Sequence, residues 1–107
     1  MTFDDYQKLA AKTAIYSGRG SFAGLAYCTL GLTGEAGEVA NKVKKIWRDP
    51  GTRESRLLMK ELGDVLWYLA EVASNLNVSL DEIAVENINK LSTRQQNNTL
   101  HGSGDIR

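Results

Sequence analysis

The sequence predicts an all-α protein, a four-helix bundle made of antiparallel helical hairpins. Four segments repeat apolar residues every three or four positions, and no segment alternates apolar and polar residues as a strand does. Three stretches rich in glycine, proline, serine or asparagine separate these segments: "YSGRGSFAG" at 16–24, "RDPGT" at 48–52 and "NLNVS" at 75–79. Such stretches favour turns, and short turns favour antiparallel neighbours.

The first two predicted helices are amphipathic. The first runs from about Phe3 to Ala14, with Thr2 as its N-cap and Asp4 and Asp5 at the positive end of the helix dipole. The second runs from about Phe22 to Trp47. Its apolar face is Leu25, Cys28, Leu32, Ala36, Val39, Val43 and Ile46.

The other two predicted helices follow the turn at Pro50. The third spans about Arg53 to Leu76, and its apolar stripe is Leu58, Leu62, Val65, Leu69, Val72 and Leu76. The fourth starts with "SLDE", in which Ser79 at the cap and Glu82 form a capping box, and it frays after Arg94. Its predicted inward face is Leu80, Ile83, Ala84, Ile88 and Leu91.

Length and composition indicate one small domain. Residues 1–95 are predicted to form it, and the polar stretch 96–107 is predicted to be a loop or a disordered tail. A chain of 107 residues buries little more than ~60% of its unfolded surface, so its core is thin and a partner subunit would help.

Charge and cysteine content exclude several classes of protein. Thirteen basic and thirteen acidic residues cancel, which gives no reason to expect a nucleic acid polymer or a membrane surface as partner. The single cysteine, Cys28, lies among apolar residues and is predicted to be a small core residue. No apolar run is long enough for a membrane span, and the acidic start is unlike a secretory signal, so we expect a cytoplasmic protein.

Two similar stretches, "EAGEV" at 35–39 and "ELGDV" at 61–65, place acids at the rim of the apolar faces. Glu35 and Glu38 share one helix face, and Glu61 and Asp64 share another, which Tyr68 and Glu71 extend. If the two helices form a hairpin, four carboxylates converge, and they repel each other unless they are protonated or bridged by a cation. The all-oxygen set suits Mg²⁺ or Mn²⁺ and phosphate chemistry, and two ordinary solvated faces are the alternative.

Glycines accompany both acidic pairs. Bare backbone would let a helix or a ligand approach closely at four positions: Gly31, Gly34, Gly37 and Gly63. Simple crowding between helices is the alternative interpretation.

The fourth helix and the tryptophans offer further candidate contacts for a nucleotide. An amide and two cations lie at helical spacing on one face: Asn87, Lys90 and Arg94. The cations suit phosphates and the amide suits a sugar or a base, with an ordinary polar outer face as the alternative. Trp47 and Trp67 are either stacking platforms for a base or packed in a core or interface. His101 is predicted to be an exposed tail residue.

The ordered set of motifs resembles the MazG-like family of all-α nucleoside triphosphate pyrophosphohydrolases. The matching motifs are "GEAGEVANKVKK", "KELGDVLWYLAEVA", "ENINKLSTR" and the ending "HGSGDIR". The similarity covers most of the chain, from about Leu25 onward. Each motif is weak alone, but their order and the 22 residues between Glu38 and Glu61 make the set specific.

This resemblance implies hydrolysis of (deoxy)nucleoside triphosphates to the monophosphate and pyrophosphate with Mg²⁺, for which Mn²⁺ can substitute. It implies that the catalytic metal ligands are Glu35, Glu38, Glu61 and Asp64. It places Lys42 and Tyr68 near the phosphates, and it assigns nucleotide contacts to Asn87, Lys90 and Arg94. Members are dimers, or tetramers built from dimers, with sites between subunits. The family pattern EExxE begins with a glutamate where this chain has Gly34, so any role of that glutamate must pass elsewhere.

The predicted reaction is in-line attack of a water on the α-phosphorus, with Glu38 or Glu35 accepting the proton and Lys42, Lys90 and Arg94 offsetting phosphate charge. A di-iron carboxylate bundle is one rival, but such sites use Glu-x-x-His, which does not occur in this sequence. The other is a catalytically inactive helical module that binds nucleotides or proteins, favoured only by Gly34. The sequence leaves open the base, the sugar, the number of metal ions and the choice between dimer and tetramer.

Overall fold

The computed structural model describes residues 1–49 and 55–107 and confirms the all-α prediction. In that part of the chain there are four helices and no strands: α1 (Phe3–Ala11), α2 (Phe22–Arg48), α3 (Ser55–Asn75) and α4 (Leu80–Gln96). The predicted turn at Pro50 and the predicted helix start at Arg53 lie outside the described residues. The other predicted boundaries are correct to within one helical turn. None of the described helices is long and apolar enough to cross a membrane.

Both predicted N-caps are present as reciprocal hydrogen bonds. At α1, the Thr2 hydroxyl accepts from the Asp5 amide at 3.1 Å and the Asp5 carboxylate accepts from the Thr2 amide at 3.1 Å. At α4, the Ser79 hydroxyl and the Glu82 carboxylate make the equivalent pair at 3.0 and 3.1 Å. Each cap satisfies backbone N–H groups that the first turn of the helix leaves without a partner, and it contributes about 1 kcal/mol to the free energy of unfolding.

The helices α2 and α3 form an antiparallel hairpin. Three contacts run along it: Gly24 with Asn75, Gly31 with Tyr68 and Lys42 with Glu61. The closest approach is at Gly31, where a Cβ atom would lie 2.2 Å from a ring carbon of Tyr68. The ring therefore occupies the space that any other residue at position 31 would fill, and this contact fixes the register of the hairpin.

The other glycines singled out in the sequence do not serve packing within the chain. A Cβ atom at Gly34, Gly37 or Gly63 would meet no atom within 4 Å. For these three positions the expected close approach of helices within the chain is wrong, because these glycines face open space whereas Gly31 faces the Tyr68 ring.

Gln7 of α1 joins the end of α3 to the start of α4. Its side-chain amide donates to the Ser74 hydroxyl and to the Val78 carbonyl, each at 3.0 Å, and its carbonyl accepts from the Leu80 amide at 2.8 Å. The small core of Ala10, Ala70, Ala73 and Leu80 lies beside this junction. Helix α1 therefore lies between α3 and α4, and α4 packs chiefly on α1.

The core is as thin as its length predicts. The buried apolar residues are Ala10, Cys28, Ala70, Ala73 and Leu80, which confirms the prediction for Cys28. Several residues predicted to face inward are instead exposed: Val43, Leu62, Leu69, Leu76, Ile83, Ile88 and Leu91. The prediction was wrong for them because α1 and α2 pack on the side of α3 that carries its alanines. Leu62 and Leu69 on α3 and Leu76 just after it recur every seven residues, which is the repeat of a helix seam.

An ion pair between a partly exposed arginine and a buried glutamate ties the α1–α2 loop, residues 12–21, to α3. Glu71 is fully buried, and its two carboxylate oxygens accept from the Arg19 guanidinium at 2.8 and 3.1 Å. The Tyr16 hydroxyl donates to the same carboxylate at 2.5 Å. Burial alone would raise the pKa of Glu71, but the hydrogen bonds from Arg19 and Tyr16 and the charge of Arg19 outweigh it, and the pKa is lowered.

Residues 99–107 fold back onto the end of α4. The Arg94 guanidinium is buried and donates to the Asp105 carbonyl at 2.8 Å. The Arg107 guanidinium donates to the Thr99 carbonyl at 3.1 Å and to the Gly104 carbonyl. The predicted polar tail is therefore a loop held by two arginines, both bonded to main-chain oxygens.

The contact at Gly31 predicts a position-specific response to alanine. Gly31→Ala should lower the free energy of unfolding by about 1–3 kcal/mol, because the new methyl group displaces the Tyr68 ring. Gly37→Ala, in open space on the same helix, should be neutral or stabilise by up to about 1 kcal/mol through helix propensity. Urea unfolding followed by circular dichroism measures both. Equal effects of the two substitutions would contradict the register described above.

The Glu71 ion pair predicts a pH-dependent stability difference. At neutral pH, Glu71→Gln should destabilise by about 1–3 kcal/mol, because it removes the charged acceptor of the hydrogen bonds from Arg19 and Tyr16. The pKa of Glu71 is lower in the folded state, so its stabilising contribution is present above the unfolded carboxyl pKa of about 4.3 and is lost as the pH falls below it. The difference in unfolding free energy between wild type and Glu71→Gln should therefore narrow in acid, and a constant difference from neutral pH to pH 3 would disprove the assignment.

Candidate metal centre

Three of the four predicted acids converge on the hairpin. Glu35 on α2 and Glu61 and Asp64 on α3 each offer a carboxylate oxygen, and these oxygens lie within 4.8 Å of one another. Glu35 and Glu61 are half-buried and Asp64 is exposed. The antiparallel register produces this group, because Gly31 and Tyr68 meet one turn away from Glu35 and Asp64.

The electrostatics of this group favour a cation. The pKa of Glu35 is raised by burial, then by the charges of Asp64 and Glu61, by a hydrogen bond with Glu61 and by the charge of Glu38. A carboxyl surrounded by carboxylates takes up a proton or a positive ion to relieve the repulsion. Three carboxylates with a partly open side match the oxygen ligation and remaining water positions that Mg²⁺ adopts in proteins. The donor set therefore fits the metal implied by the sequence.

Glu38 lies at the margin of the group. It is exposed, and it is not among the three acids whose oxygens lie within 4.8 Å of one another. Its charge still contributes to the raised pKa of Glu35, so the two carboxylates interact. The role of Glu38 as a metal ligand stays a prediction.

Lys42 and Tyr68 border the carboxylates, as the family resemblance implies. The Lys42 ammonium lies 3.9 Å from a Glu61 carboxylate oxygen. The pKa of Tyr68 is raised by burial, by the charge of Tyr27 and a hydrogen bond with it, and then by the charge of Glu35. One cation and one hydroxyl therefore lie beside the acids on the two helices that carry them.

The fourth helix does not complete this centre within the chain. Asn87 and Lys90 are exposed on α4, which packs on α1, and among the described residues neither bonds to any of the four acids. Arg94 is buried against the tail, on the carbonyl of Asp105. Nucleotide contacts by these three residues stay predictions.

The tryptophans and the histidine take different surroundings. Trp47 is 84% exposed near the end of α2. Trp67 is half-buried, and its indole nitrogen donates to the Thr13 hydroxyl at 2.8 Å. His101 is exposed in the tail, as predicted.

Three tyrosines near the centre were missed by the sequence analysis. Burial and the charge of Asp64 raise the pKa of Tyr6 on α1, which therefore interacts with the acidic group. Tyr27 packs beside Tyr68, and Tyr16 stacks on Tyr27. A signal existed only for Tyr27, which lies two four-residue steps before Glu35 on the same helix face. Tyr6 and Tyr16 reach this region because α1 and the α1–α2 loop dock on α3, and the spacing of apolar residues along the sequence does not predict that docking.

The fold and this site define an all-α protein with a carboxylate centre on a helical hairpin, suited to a divalent cation. The domain described as "MazG nucleotide pyrophosphohydrolase domain" matches residues 25–99, and the chain belongs to this family. The chain is also similar to "Gene 37 protein" of Mycobacterium phage L5, with 51% identity over 114 aligned residues and full coverage of both chains. No solved structure matches the chain. The resemblance seen in the motifs is thereby confirmed.

The raised pKa of Glu35 predicts opposite effects of one substitution with and without metal. Without metal, Glu35→Gln should leave the Tm equal or higher, because it removes a repelled carboxylate. With Mg²⁺ at ten times its Kd, wild type should gain about 1.4 kcal/mol of stability, and Glu35→Gln should lose most of that gain. Glu86→Gln, an exposed acid on α4, is the matched control and should keep the gain. Identical Mg²⁺ responses of the two variants in thermal melts would exclude this centre.

Proposed function

We propose that this protein is a nucleoside triphosphate pyrophosphohydrolase that converts (deoxy)nucleoside triphosphates to the monophosphate and pyrophosphate, with Mg²⁺ as cofactor and Mn²⁺ as a substitute. The observation that carries this proposal is the group of Glu35, Glu61 and Asp64 on facing helices. Membership of the nucleotide pyrophosphohydrolase family supports the reaction class. The activity would sanitise or adjust the nucleotide pool of the cytoplasm.

Each residue of the centre has a task in this proposal. Glu35, Glu61 and Asp64 would hold the cation, which would supply positive charge to the triphosphate and lower the pKa of a nearby water. Lys42, beside Glu61, offsets the charge that develops on the phosphates. Glu38 is exposed at the margin of the group and accepts a proton from the attacking water. The role left open by Gly34 thus falls to an acid one turn further along α2.

A second copy of the chain completes the site in this proposal. The chain exposes 7886 Å², whereas a compact monomer of 11.8 kDa exposes roughly 5,900 Å². Its radius of gyration is 16.6 Å, against about 13 Å for a compact domain of this length. The excess is comparable to the area of a stable interface. Exposed leucines on α3 and exposed apolar residues on α4, namely Val85, Ile88 and Leu91, supply its apolar part.

In the dimer, α4 of one copy would bring Asn87 and Lys90 to the carboxylates of the other. Within one copy α4 packs on α1, so these two residues make no contact with the acids of their own chain among the residues described. Their amide and ammonium groups suit the sugar and the phosphates of a nucleotide. A dimer, or a tetramer of two dimers, follows from this arrangement.

The reaction predicts defined products and a defined site of attack. Incubation with each (d)NTP and Mg²⁺ should yield monophosphate and pyrophosphate, and in H₂¹⁸O the label should enter the monophosphate, because water attacks the α-phosphorus. Asp64→Asn should lower kcat about 100-fold or more through loss of transition-state charge stabilisation. Glu86→Gln should retain wild-type activity. Mass spectrometry and chromatography of the products measure these outcomes.

Other results would reject the proposal. Release of orthophosphate alone would assign a different reaction, and label in the pyrophosphate would place the attack on the β-phosphorus instead of the α-phosphorus. An inactive binding module would show no turnover with any nucleotide, and calorimetry with a non-hydrolysable analogue would then show whether Mg²⁺ and nucleotide binding are coupled.

The shared site predicts complementation between two inactive variants. Asp64→Asn removes an acid, Lys90→Ala removes the cation from α4, and each homodimer should lose activity. Mixed and re-equilibrated chains should recover roughly a quarter of wild-type activity, because half of the dimers are mixed and each restores one of two sites. No recovery, when sedimentation shows that mixed dimers form, would show that Lys90 does not act on the carboxylates of the partner chain.

A further inference from the structure

Four aromatic rings form a continuous cluster above the carboxylates, and we name it the aromatic wall: Tyr16, Tyr27, Trp67 and Tyr68. Tyr16 stacks on Tyr27 with ring centroids 5.1 Å apart and planes 18° apart. Trp67 meets Tyr16 edge-on at 6.2 Å and Tyr68 edge-on at 5.0 Å, and Tyr27 is 6.4 Å from Tyr68. The rings therefore support one another around a closed circuit.

The aromatic wall stands beside the metal centre. Tyr27, Gly31 and Glu35 follow one another at four-residue steps along one face of α2, so the Tyr27 ring lies about 12 Å along the helix from Glu35. Tyr68 fills the gap over Gly31 between them. Tyr27 is 50% exposed, although it belongs to a cluster of packed rings. The ribose and phosphates of a nucleotide bridge such a distance, and the open ring is then left for its base.

The wall is held from behind by the buried carboxylate of Glu71. Arg19 neutralises this carboxylate with two hydrogen bonds, and the Tyr16 hydroxyl donates to it. The Asn75 amide donates to the Tyr16 oxygen at 2.9 Å. Burial and hydrogen bonds with Cys28 and Glu71 raise the pKa of Tyr16, so its hydroxyl stays a donor. The ring under Tyr27 is therefore fixed by groups that cannot reach the phosphates.

We propose that Tyr27 stacks on the nucleobase and that Glu71 and Arg19 are positioning residues, which fix Tyr16 beneath Tyr27. This inference rests on the proposed function, since it assigns the nucleoside end of the same substrate. Stacking on an aromatic face is available to every base. The wall therefore contributes binding for purines and pyrimidines alike, and it adds nothing to a substrate that lacks a base.

Inorganic tripolyphosphate, which has phosphates but no base, separates this role from all others. Tyr27→Ala should raise KM for each (d)NTP about tenfold or more and leave kcat within about twofold, because it removes uniform binding. The inhibition constant of tripolyphosphate should stay within about twofold of wild type. Tyr27→Phe, which keeps the ring, is the matched control and should resemble wild type.

The positioning network is tested through Trp67 fluorescence. A Trp47→Phe background leaves Trp67 as the one tryptophan, since the sequence has two. Tyr16→Phe and the double variant Arg19→Met with Glu71→Met should shift its emission and raise KM for nucleotides, with kcat and tripolyphosphate inhibition unchanged. The double variant removes both charges together, so it folds where a single change leaves one charge buried alone.

Other outcomes of these experiments would overturn the role of Tyr27, the role of Glu71 or the proposed function. If Tyr27→Ala weakens the binding of tripolyphosphate and of nucleotides equally, or weakens the binding of neither, the base does not stack on Tyr27. If the network variants lower the Tm without changing KM, Glu71 has a structural role only. If wild type hydrolyses no nucleotide, the proposed function fails. In that case, quenching of Trp67 fluorescence by a non-hydrolysable nucleotide with Mg²⁺ tests the aromatic wall separately, in Tyr27→Ala and Tyr27→Phe. Loss of quenching in Tyr27→Ala alone supports stacking of the base on Tyr27, and equal quenching in the two variants rejects it.

Discussion

The packing of Tyr68 over Gly31 is the contact on which the rest of the structure depends. Helix interiors disfavour glycine, yet at position 31 the absence of a side chain lets a whole aromatic ring lie against α2. With this register, Glu35 meets Asp64 and Glu61 on one side of the ring. On the other side, Cys28 and Gly24 meet Asn75. A shift of one residue between α2 and α3 would separate both groups.

One face of α3 carries carboxylates with two different environments. Glu61 and Asp64 are accessible and share their surroundings with Glu35, whereas Glu71, two turns further along α3, is fully buried. The difference is the source of compensating charge. Arg19 is part of the chain and neutralises Glu71 permanently. Among the described residues, the one ion pair made by Glu35, Glu61 and Asp64 joins Glu61 to Lys42 at 3.9 Å, so three carboxylates share one ammonium group and a further cation is favoured there.

The sequence predicts the helices and the pairing of the acids, but not which side of each helix is buried. Helix ends follow from local signals, such as the capping box of Ser79 and Glu82. Helical spacing with a turn between α2 and α3 is enough to bring Glu35 to Asp64. By contrast, Leu69 and Ala70 are adjacent on α3 and both apolar, and only the docking of α1 and α2 decides that the alanine is buried. Glu71 continues the acidic line at helical spacing, and nothing local reveals that Arg19, 52 positions away, covers it.

The way in which the loop after α4 is held determines which of its positions can be substituted during evolution. Arg94 and Arg107 hold it through main-chain carbonyls, so its shape depends little on the side chains between them. Most of the intervening residues, among them the fully exposed Ile106, are free to vary during evolution without loss of this shape, whereas Gly104 has a φ of 94° that residues with a side chain rarely adopt. The two arginines are not free to vary: Arg107 reaches two carbonyls at once through a planar fork that lysine lacks, and Arg94 donates to the Asp105 carbonyl. Two fixed positions around a variable interior would let related proteins carry different surface chemistry on one inherited scaffold.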